Sequence, residues 1–323
     1  MQHYPLNKIS QSNLDRLAAS VLESYSYQDL YQFSYQKALK NEARDLWALT
    51  EDEDPESLQV VRERRGLGPE IQDEQLLARV FEIENNGLLL ANVCRNDADD
   101  TLIEIFTTED CDRVFVERWA KFLSNFFSWA KAKYIVCWPL VGSEAAKSLL
   151  SISGSYLADS FLAAHILDVP LAMNHDLSFR AFGVEQDWEW YEREYQQFLQ
   201  ENPRFSDIVP MTEKDDIAEA CEERLCDVAM FKGERLGMVM AEVSTELGYQ
   251  GILISDIFIV EKYRGKGFAS SLQRGFLASR AEGCQLICGY IDASNKASLH
   301  NAMNQNRQIL RQECYIPIAS CFS

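Results

Sequence analysis

Missing from this chain is any apolar run near the roughly 18 residues that a membrane span needs. The opening Met1-Gln2-His3-Tyr4-Pro5-Leu6-Asn7-Lys8 has neither a basic n-region followed by an apolar h-region nor a myristoylation pattern. These absences predict a soluble, cytoplasmic protein with no membrane partner. Cysteines at metal or redox spacing are missing too. The nine present (Cys94, Cys111, Cys137, Cys221, Cys226, Cys284, Cys288, Cys314, Cys321) include no C-x-x-C pair and have no neighbouring histidine. Neither a metal nor a disulfide scaffold is expected, and scattered thiols suit a reducing compartment. Positive charge is also scarce: 31 Lys and Arg stand against 50 Asp and Glu, a net charge of −19. Residues 1–175 carry 27 acids and 16 bases, and residues 176–323 carry 23 and 15. Neither half offers the cationic stripe that nucleic acid requires. The acidity suits a cationic substrate such as an amine, or serves solubility alone.

At 323 residues the chain exceeds one typical domain, so two compact units are expected, 1–175 and 176–323. In the second half strands and helices alternate. Residues 177–182 read as a strand, and 187–200 as a helix with Trp188, Tyr191, Tyr195 and Phe198 near helical spacing. A short helix at 213–224 precedes strands at 226–231, 235–243 and 250–260, with turns at Lys232-Gly233-Glu234 and Leu247-Gly248-Tyr249. A helix from Phe268, a strand at 285–291, a helix from Ser298 and a last strand near 314–318 complete it. The first half repeats this outline. A helix at 13–24 and an acidic loop at 51–56 precede a hairpin at 79–84 and 88–94, and a strand at 101–106. A helix at 114–131, a strand at 134–138, a helix at 143–151 and a strand at 156–165 follow. The fold class is α/β (α+β), a mixed central sheet flanked by helices.

Arg264-Gly265-Lys266-Gly267-Phe268-Ala269 closes the apolar strand and opens an amphipathic helix. Glycines let an anion approach the backbone, the first amides of the helix point one way, and the helix dipole favours negative charge there. Arg264 and Lys266 add cationic charge beside that nest. The spacing is neither the dinucleotide fingerprint nor the P-loop. The first half has no counterpart, because Thr107-Thr108-Glu109-Asp110-Cys111-Asp112 brings three acids and no glycine after its strand. Arg65-Gly66-Leu67-Gly68 lies outside a strand-to-helix context and reads as a turn.

The pattern R-x-x-G-x-A after Asp256-Ile257-Phe258-Ile259-Val260 resembles the pyrophosphate loop of the GNAT N-acetyltransferase family. Asn295-Lys296-Ala297-Ser298 resembles its second motif, with Asn295 also placed to cap the next helix. The resemblance implies a GNAT fold and acetyl-CoA as cofactor. It implies contacts from Phe258, Ile259, Val260, Arg264, Gly265, Lys266, Gly267, Phe268, Ala269, Ser270, Asn295 and Ser298, and an amine-bearing small molecule or protein as acceptor. The chain as a whole resembles a tandem GNAT protein whose N-terminal unit, 1–175, has lost its phosphate loop.

Two departures bear on mechanism. Ala302 stands where the family often carries a tyrosine that protonates the leaving thiolate, and Asn306-Arg307 replaces the usual Gly-Phe. Asparagine tolerates the left-handed conformation that glycine would take. Tyr290, His300 and Tyr315 are candidate stand-ins for the acid, of which Tyr315 is carried forward. An amine with a pKa near 10 must shed a proton before it attacks a thioester. Asp256, alone among apolar neighbours, is the candidate base, with Glu242 and Glu246 as fallbacks for base or ammonium anchor; a strand-edge or salt-bridged acid is the other reading of Asp256. A backbone N–H around Ile259 would polarise the carbonyl. The function expected is direct acyl transfer from acyl-CoA to a primary amine. The alternative is a non-catalytic tandem GNAT-like scaffold that binds CoA or a protein.

Overall fold

The structure, a computed structural model, describes residues 2–27, 30, 33–50, 55–96, 99–170, 176–206 and 208–322. Residues 51–54 of the expected acidic loop therefore lie outside the described residues. The chain divides into two compact units, Met1–Ser160 with Leu310–Ser323, and Phe161–Ile309. This differs from the single cut expected at 175/176: the last strand of the first half is divided between the units, and that of the second half lies in unit 1 from Leu310 onward.

Unit 1 runs β1 (His3–Pro5), α1 (Gln11–Glu23), α2 (Tyr35–Ala48), α3 (Pro55–Arg65), β2 (Arg79–Glu82), β3 (Leu88–Arg95) and β4 (Thr101–Thr107). Then come α4 (Arg113–Phe126), β5 (Tyr134–Cys137), α5 (Glu144–Leu150) and the first part of β6 (Tyr156–His165). β1 to β4 pair antiparallel in sequence order, and β4 pairs parallel with β5 from Leu102↔Tyr134 to Glu104↔Val136. The aromatic-rich helix α4 covers this sheet. Its Phe115, Val116, Trp119, Ala120 and Leu123 recur at helical spacing and bury against Phe81, Leu89, Ile103 and Ile135.

Unit 2 begins within β6 and continues with β7 (Leu177–Ala181), α6 (Val184–Glu201), α7 (Lys214–Glu222), β8 (Cys226–Phe231) and β9 (Glu234–Glu246). It ends with β10 (Tyr249–Ile259), α8 (Phe268–Arg280), β11 (Leu286–Asp292) and α9 (Lys296–Met303). The chain's final strand, β12 (Gln308–Pro317), lies from Leu310 onward in unit 1, antiparallel to β5 with Cys314 opposite Cys137. The strand order of unit 2 is β6-β11-β10-β9-β8-β7, with β7 to β10 antiparallel and β10 parallel to β11. Both tight turns lie where expected: Lys232 and Gly233 have φ of 51° and 83°, and Leu247 and Gly248 have φ of 53° and 78°.

Alternation along the strands divides the core of unit 2 into two layers. Val239, Ala241, Ile252, Ile259 and Ile287 pack under Leu272 and Phe276 of α8. Met238, Met240 and Phe258 pack under Trp190, Tyr191 and Tyr195 of α6 and Ile217 of α7. Gly237 lets β9 and β10 meet, since a Cβ there would lie 2.1 Å from the Phe258 carbonyl oxygen. Fully buried Asp187 is held by Arg180 at 2.6 Å and Arg235 at 2.9 Å, which neutralises it. No helix among the described residues is long and apolar enough to cross a membrane.

Candidate active site

The glycine turn stands at the N-terminus of α8. Gly265 and Gly267 have φ of 70° and 77°, and a Cβ built on either would meet nothing within 4 Å. Conformation, not crowding, demands glycine here, and the space beside the turn is open. The first amides of any α-helix lack an intrahelical acceptor, and Gly267 has no side chain to cap them. The equivalent helix of unit 1 is closed to anions. Asp112 caps α4 by accepting from the Phe115 amide at 2.8 Å, so a carboxylate already stands at that helix end.

Charge beside the turn is arranged differently from the expectation. The Arg264 Nε donates to the Ile259 carbonyl at 2.6 Å, and its guanidinium lies 3.9 Å from the Phe198 ring centroid and 3.1 Å from Glu261. Burial pulls its pKa down. Lys266 Nζ turns back to the Lys262 carbonyl at 2.5 Å. Arg264 thus braces the turn from beneath, and an anion at this site would be held mainly by backbone amides.

Next to the turn, two parallel strands separate. β10 and β11 pair only at Gly251↔Leu286, Ile252↔Ile287 and Leu253↔Cys288, although both run on. The cause is a bulge in β10 between Ile254 and Asp256, which adds a residue against β9 and bends the strand. The Val260 amide donates to the Leu236 carbonyl at 3.0 Å on the β9 side. Successive amides alternate edges, so the Ile259 N–H faces the edge that β11 has left. A slot with a free backbone donor results. Phe258 is buried among Tyr191 and Tyr195 on the α6 side, and Phe268 packs on Tyr263 and Phe231.

Asp256 lies on the α6 side of this slot. Its Oδ2 accepts from the Tyr191 hydroxyl at 2.8 Å and the Thr212 hydroxyl at 3.1 Å, and the Thr212 amide donates to the Tyr191 oxygen at 3.3 Å. Burial pushes the Asp256 carboxyl above the usual range, with these hydrogen bonds holding it partly back. The salt-bridged reading of Asp256 does not describe it: its partners are the hydroxyls of Tyr191 and Thr212 and the backbone amide of Ile257. Glu242 is exposed, two residues from Met240 and so on the same face, beyond the partner of Asp256 across the strands.

On α9, Asn295 caps the helix as the spacing predicts, accepting from the Ser298 amide at 3.2 Å. Ser270 donates to Asn301 Oδ1 at 2.9 Å, linking the first turn of α8 to α9; Ala269 is half-buried against the α8 core. Ala302 is fully buried with Leu162 and Leu299, so that position faces the core. Asn306 has φ of 60°, the left-handed turn expected of it. Among the stand-in acids, Tyr290 is exposed with its ring 5.0 Å from Phe161, and His300 is exposed. Tyr315 belongs to unit 1, where its ring packs on Tyr156 at 5.2 Å and Tyr134 at 5.6 Å. The structure does not bring it into the unit that carries the turn. Sequence reasoning missed Tyr191 and Thr212 as partners of Asp256: the first read as a packing aromatic and the second carried no signal.

Residues 184–302 match the model of the Acetyltransferase (GNAT) family. That segment, which lies within unit 2, is similar to GNAT acetyltransferase domains. A GCN5-related N-acetyltransferase from Sphaerobacter thermophilus is similar in structure, with a TM-score of 0.51 at 14% identity over 80% of this chain and 89% of that one. An acetyltransferase of the GNAT family from Colwellia psychrerythraea has a TM-score of 0.51 at 12% identity over 98% of this chain and 99% of that one. At such identities the likeness speaks for the fold. No curated protein sequence matches the chain.

Proposed function

We infer that unit 2 transfers an acyl group from acyl-CoA, with acetyl-CoA the simplest donor, to a primary amine by direct attack within a ternary complex. The slot left by the separation of β10 from β11, ending at the uncapped glycine turn of α8, carries this reading. The amides after Gly265 would hold the pyrophosphate, with Asn295, Ser298 and Ser270 along the arm of the cofactor. The thioester supplies an electrophilic acyl carbon bonded to a thiolate leaving group. The Ile259 N–H donates to the oxygen that becomes negative as the amine adds. Asp256, its pKa raised by burial, takes the proton that the ammonium must lose. Glu242 on the same face anchors the incoming cation. A thiol with a pKa near 8.5 leaves as the anion without a dedicated acid, which accommodates Ala302.

In the same reading unit 1 is a second GNAT-like unit without a phosphate turn, and Asp112 at its helix end keeps it from binding acyl-CoA. The acceptor is an amine on a small molecule or protein, favoured by the net charge of −19, and a reducing cytoplasm suits nine free cysteines. The buried Ala302 is the observation that favours a non-catalytic CoA-binding scaffold instead. Isothermal titration with acetyl-CoA tests the site: binding is expected, and it disappears in Gly265→Glu/Gly267→Glu. Unchanged binding in that variant would sink the assignment. Thiol release over a panel of polyamines, aminoglycosides and lysine peptides separates enzyme from scaffold.

A further inference from the structure

Two thiols stand together at the end of α7 remote from Thr212. The helix closes in a left-handed turn: Arg224 has φ of 62°, its amide donates to the Cys221 carbonyl at 3.1 Å, and the Leu225 amide donates to the Ala220 carbonyl at 2.7 Å. That reversal brings Cys226, the first residue of β8, back beside Cys221. Phe182 holds both. Its amide donates to the Cys226 carbonyl at 3.0 Å, and its carbonyl accepts from Cys221 Sγ at 3.4 Å. Cys226 is buried, whereas Cys221 is half-buried at the edge of the same cluster. The Cys226 S–H hydrogen-bonds to the Cys221 sulfur and pulls the Cys221 pKa down, against burial and the charges of Asp187 and Asp227. Burial pushes the Cys284, Cys288 and Cys321 thiols the other way. Cys221 therefore combines access, thiolate character and an adjacent thiol, the conditions for selective oxidation.

The pair is tied to Asp256 by two routes. Across the sheet, Cys226 pairs with Met240 and Met240 with Asp256, so the three stand in one row over β8, β9 and β10. Along the helix, α7 starts two residues after Thr212, whose hydroxyl donates to Asp256 and whose amide donates to the Tyr191 oxygen. α7 has nine residues, so a displacement at its end is carried to its start. A disulfide sets its sulfurs about 2 Å apart, closer than any hydrogen-bonded pair. Closing it draws the end of α7 toward β8.

We propose that Cys221 and Cys226 form a reversible disulfide that loosens the Thr212 support of Asp256 and lowers acyl transfer when the protein meets hydrogen peroxide. The Cys221 thiolate attacks one peroxide oxygen, the O–O bond breaks, and hydroxide leaves a sulfenic acid on Cys221. The Cys226 sulfur then attacks the Cys221 sulfur, the S–O bond breaks, and the departing hydroxide takes the Cys226 proton as water. The two electrons lost by the thiols are those gained by the peroxide. The effect on transfer rests on the acyl-CoA reading; the disulfide does not. In the test the reduced full chain is treated with hydrogen peroxide, its free thiols are capped, and its cysteines are mapped by mass spectrometry. Hydrogen exchange over the segment holding Thr212 and thiol release from acetyl-CoA are read on the same samples. The Cys221–Cys226 link is expected to form at least about tenfold faster than any other cysteine oxidises. It should speed exchange around Thr212, lower transfer, and reverse both with dithiothreitol. Cys226→Ser should stop at a sulfenic acid on Cys221 that dimedone traps, and Cys221→Ser should keep its transfer rate in peroxide. No link, a link no faster than other oxidation, or a link that leaves Thr212 exchange unchanged would overturn the proposal, and so would transfer that survives the link. A reduced chain without transfer, in which the link still forms and exchange responds, counts against the acyl-CoA reading alone. Should Cys226→Ser not fold, the wild-type map and Cys221→Ser still decide.

Discussion

Glu42 offers a quantitative test of how burial governs unit 1. It sits on α2, 5% exposed, near Arg311 of β12, whose guanidinium lies 4.4 Å from the Trp138 ring and 4.9 Å from that of Tyr25. Desolvation outweighs the attraction of Arg311 and pushes the carboxyl from its usual 4.5 up to about 7. The folded state therefore holds this proton more tightly than the unfolded chain. Between pH 4.5 and 7 it binds more protons, so stability falls as pH rises through that window and levels off above it. The full displacement corresponds to about 3 kcal/mol at pH 8 and to almost nothing at pH 4. Glu42→Gln removes the charge and keeps the shape. In a unit of this size it should raise the melting temperature by roughly 6–12 °C at pH 8 and very little at pH 4. Glu313, also raised to about 7 and also facing Arg311, adds a parallel slope to both proteins, so the difference between them isolates Glu42. Melting curves by circular dichroism from pH 4 to 8 provide the comparison. A difference that does not grow with pH, or a wild type that gains stability as pH rises across this window, would show that Arg311 outweighs desolvation.

The regular elements of unit 2 were legible because their cues are local. Positive φ at Gly233 and Gly248 marks the hairpins, and the strand expected at 226–231 is found over those residues. In unit 1 the helix at Tyr35–Ala48 was passed over, for its buried face is Ala38, Asn41, Glu42, Ala43 and Leu46, which is no apolar stripe. The helix at Pro55–Arg65 has few apolar residues of any spacing. The passage of the final strand into unit 1 was invisible, because alternation shows that β12 is a strand and says nothing of whose core Cys314 and Ile316 enter. At the site, Asp256 stood out as a lone acid in an apolar strand. Its partners Tyr191 and Thr212 lie 65 and 44 residues away, beyond any local pattern. Arg264 illustrates the limit from the other side. A basic residue beside two glycines reads as ligand charge, and only the rings of Phe198 and Phe258 reveal that it points inward.

Gly237→Ala should destabilise unit 2 by about 3 kcal/mol or more, because its Cβ would lie 2.1 Å from a main-chain oxygen that cannot swing aside. Urea unfolding measures it, and a loss below about 1 kcal/mol would mean that β9 and β10 adjust freely. The chemistry of Asp256 is tested through its hydrogen bonds. Asp256→Asn should cost at least about 100-fold in transfer rate, a typical loss for a general base. It should also flatten the pH dependence of stability, because it removes a carboxyl whose pKa burial raises. Tyr191→Phe acts differently, because Tyr191 positions the base and touches no reacting atom. The hydroxyl it removes is the leading interaction that lowers the Asp256 pKa. Without it that pKa rises further, so the acid limb of the rate profile moves to higher pH while the plateau rate is largely recovered in alkali. A merely structural tyrosine would lower the rate equally at every pH. A profile that keeps its shape in Tyr191→Phe would therefore remove Asp256 from the proton path.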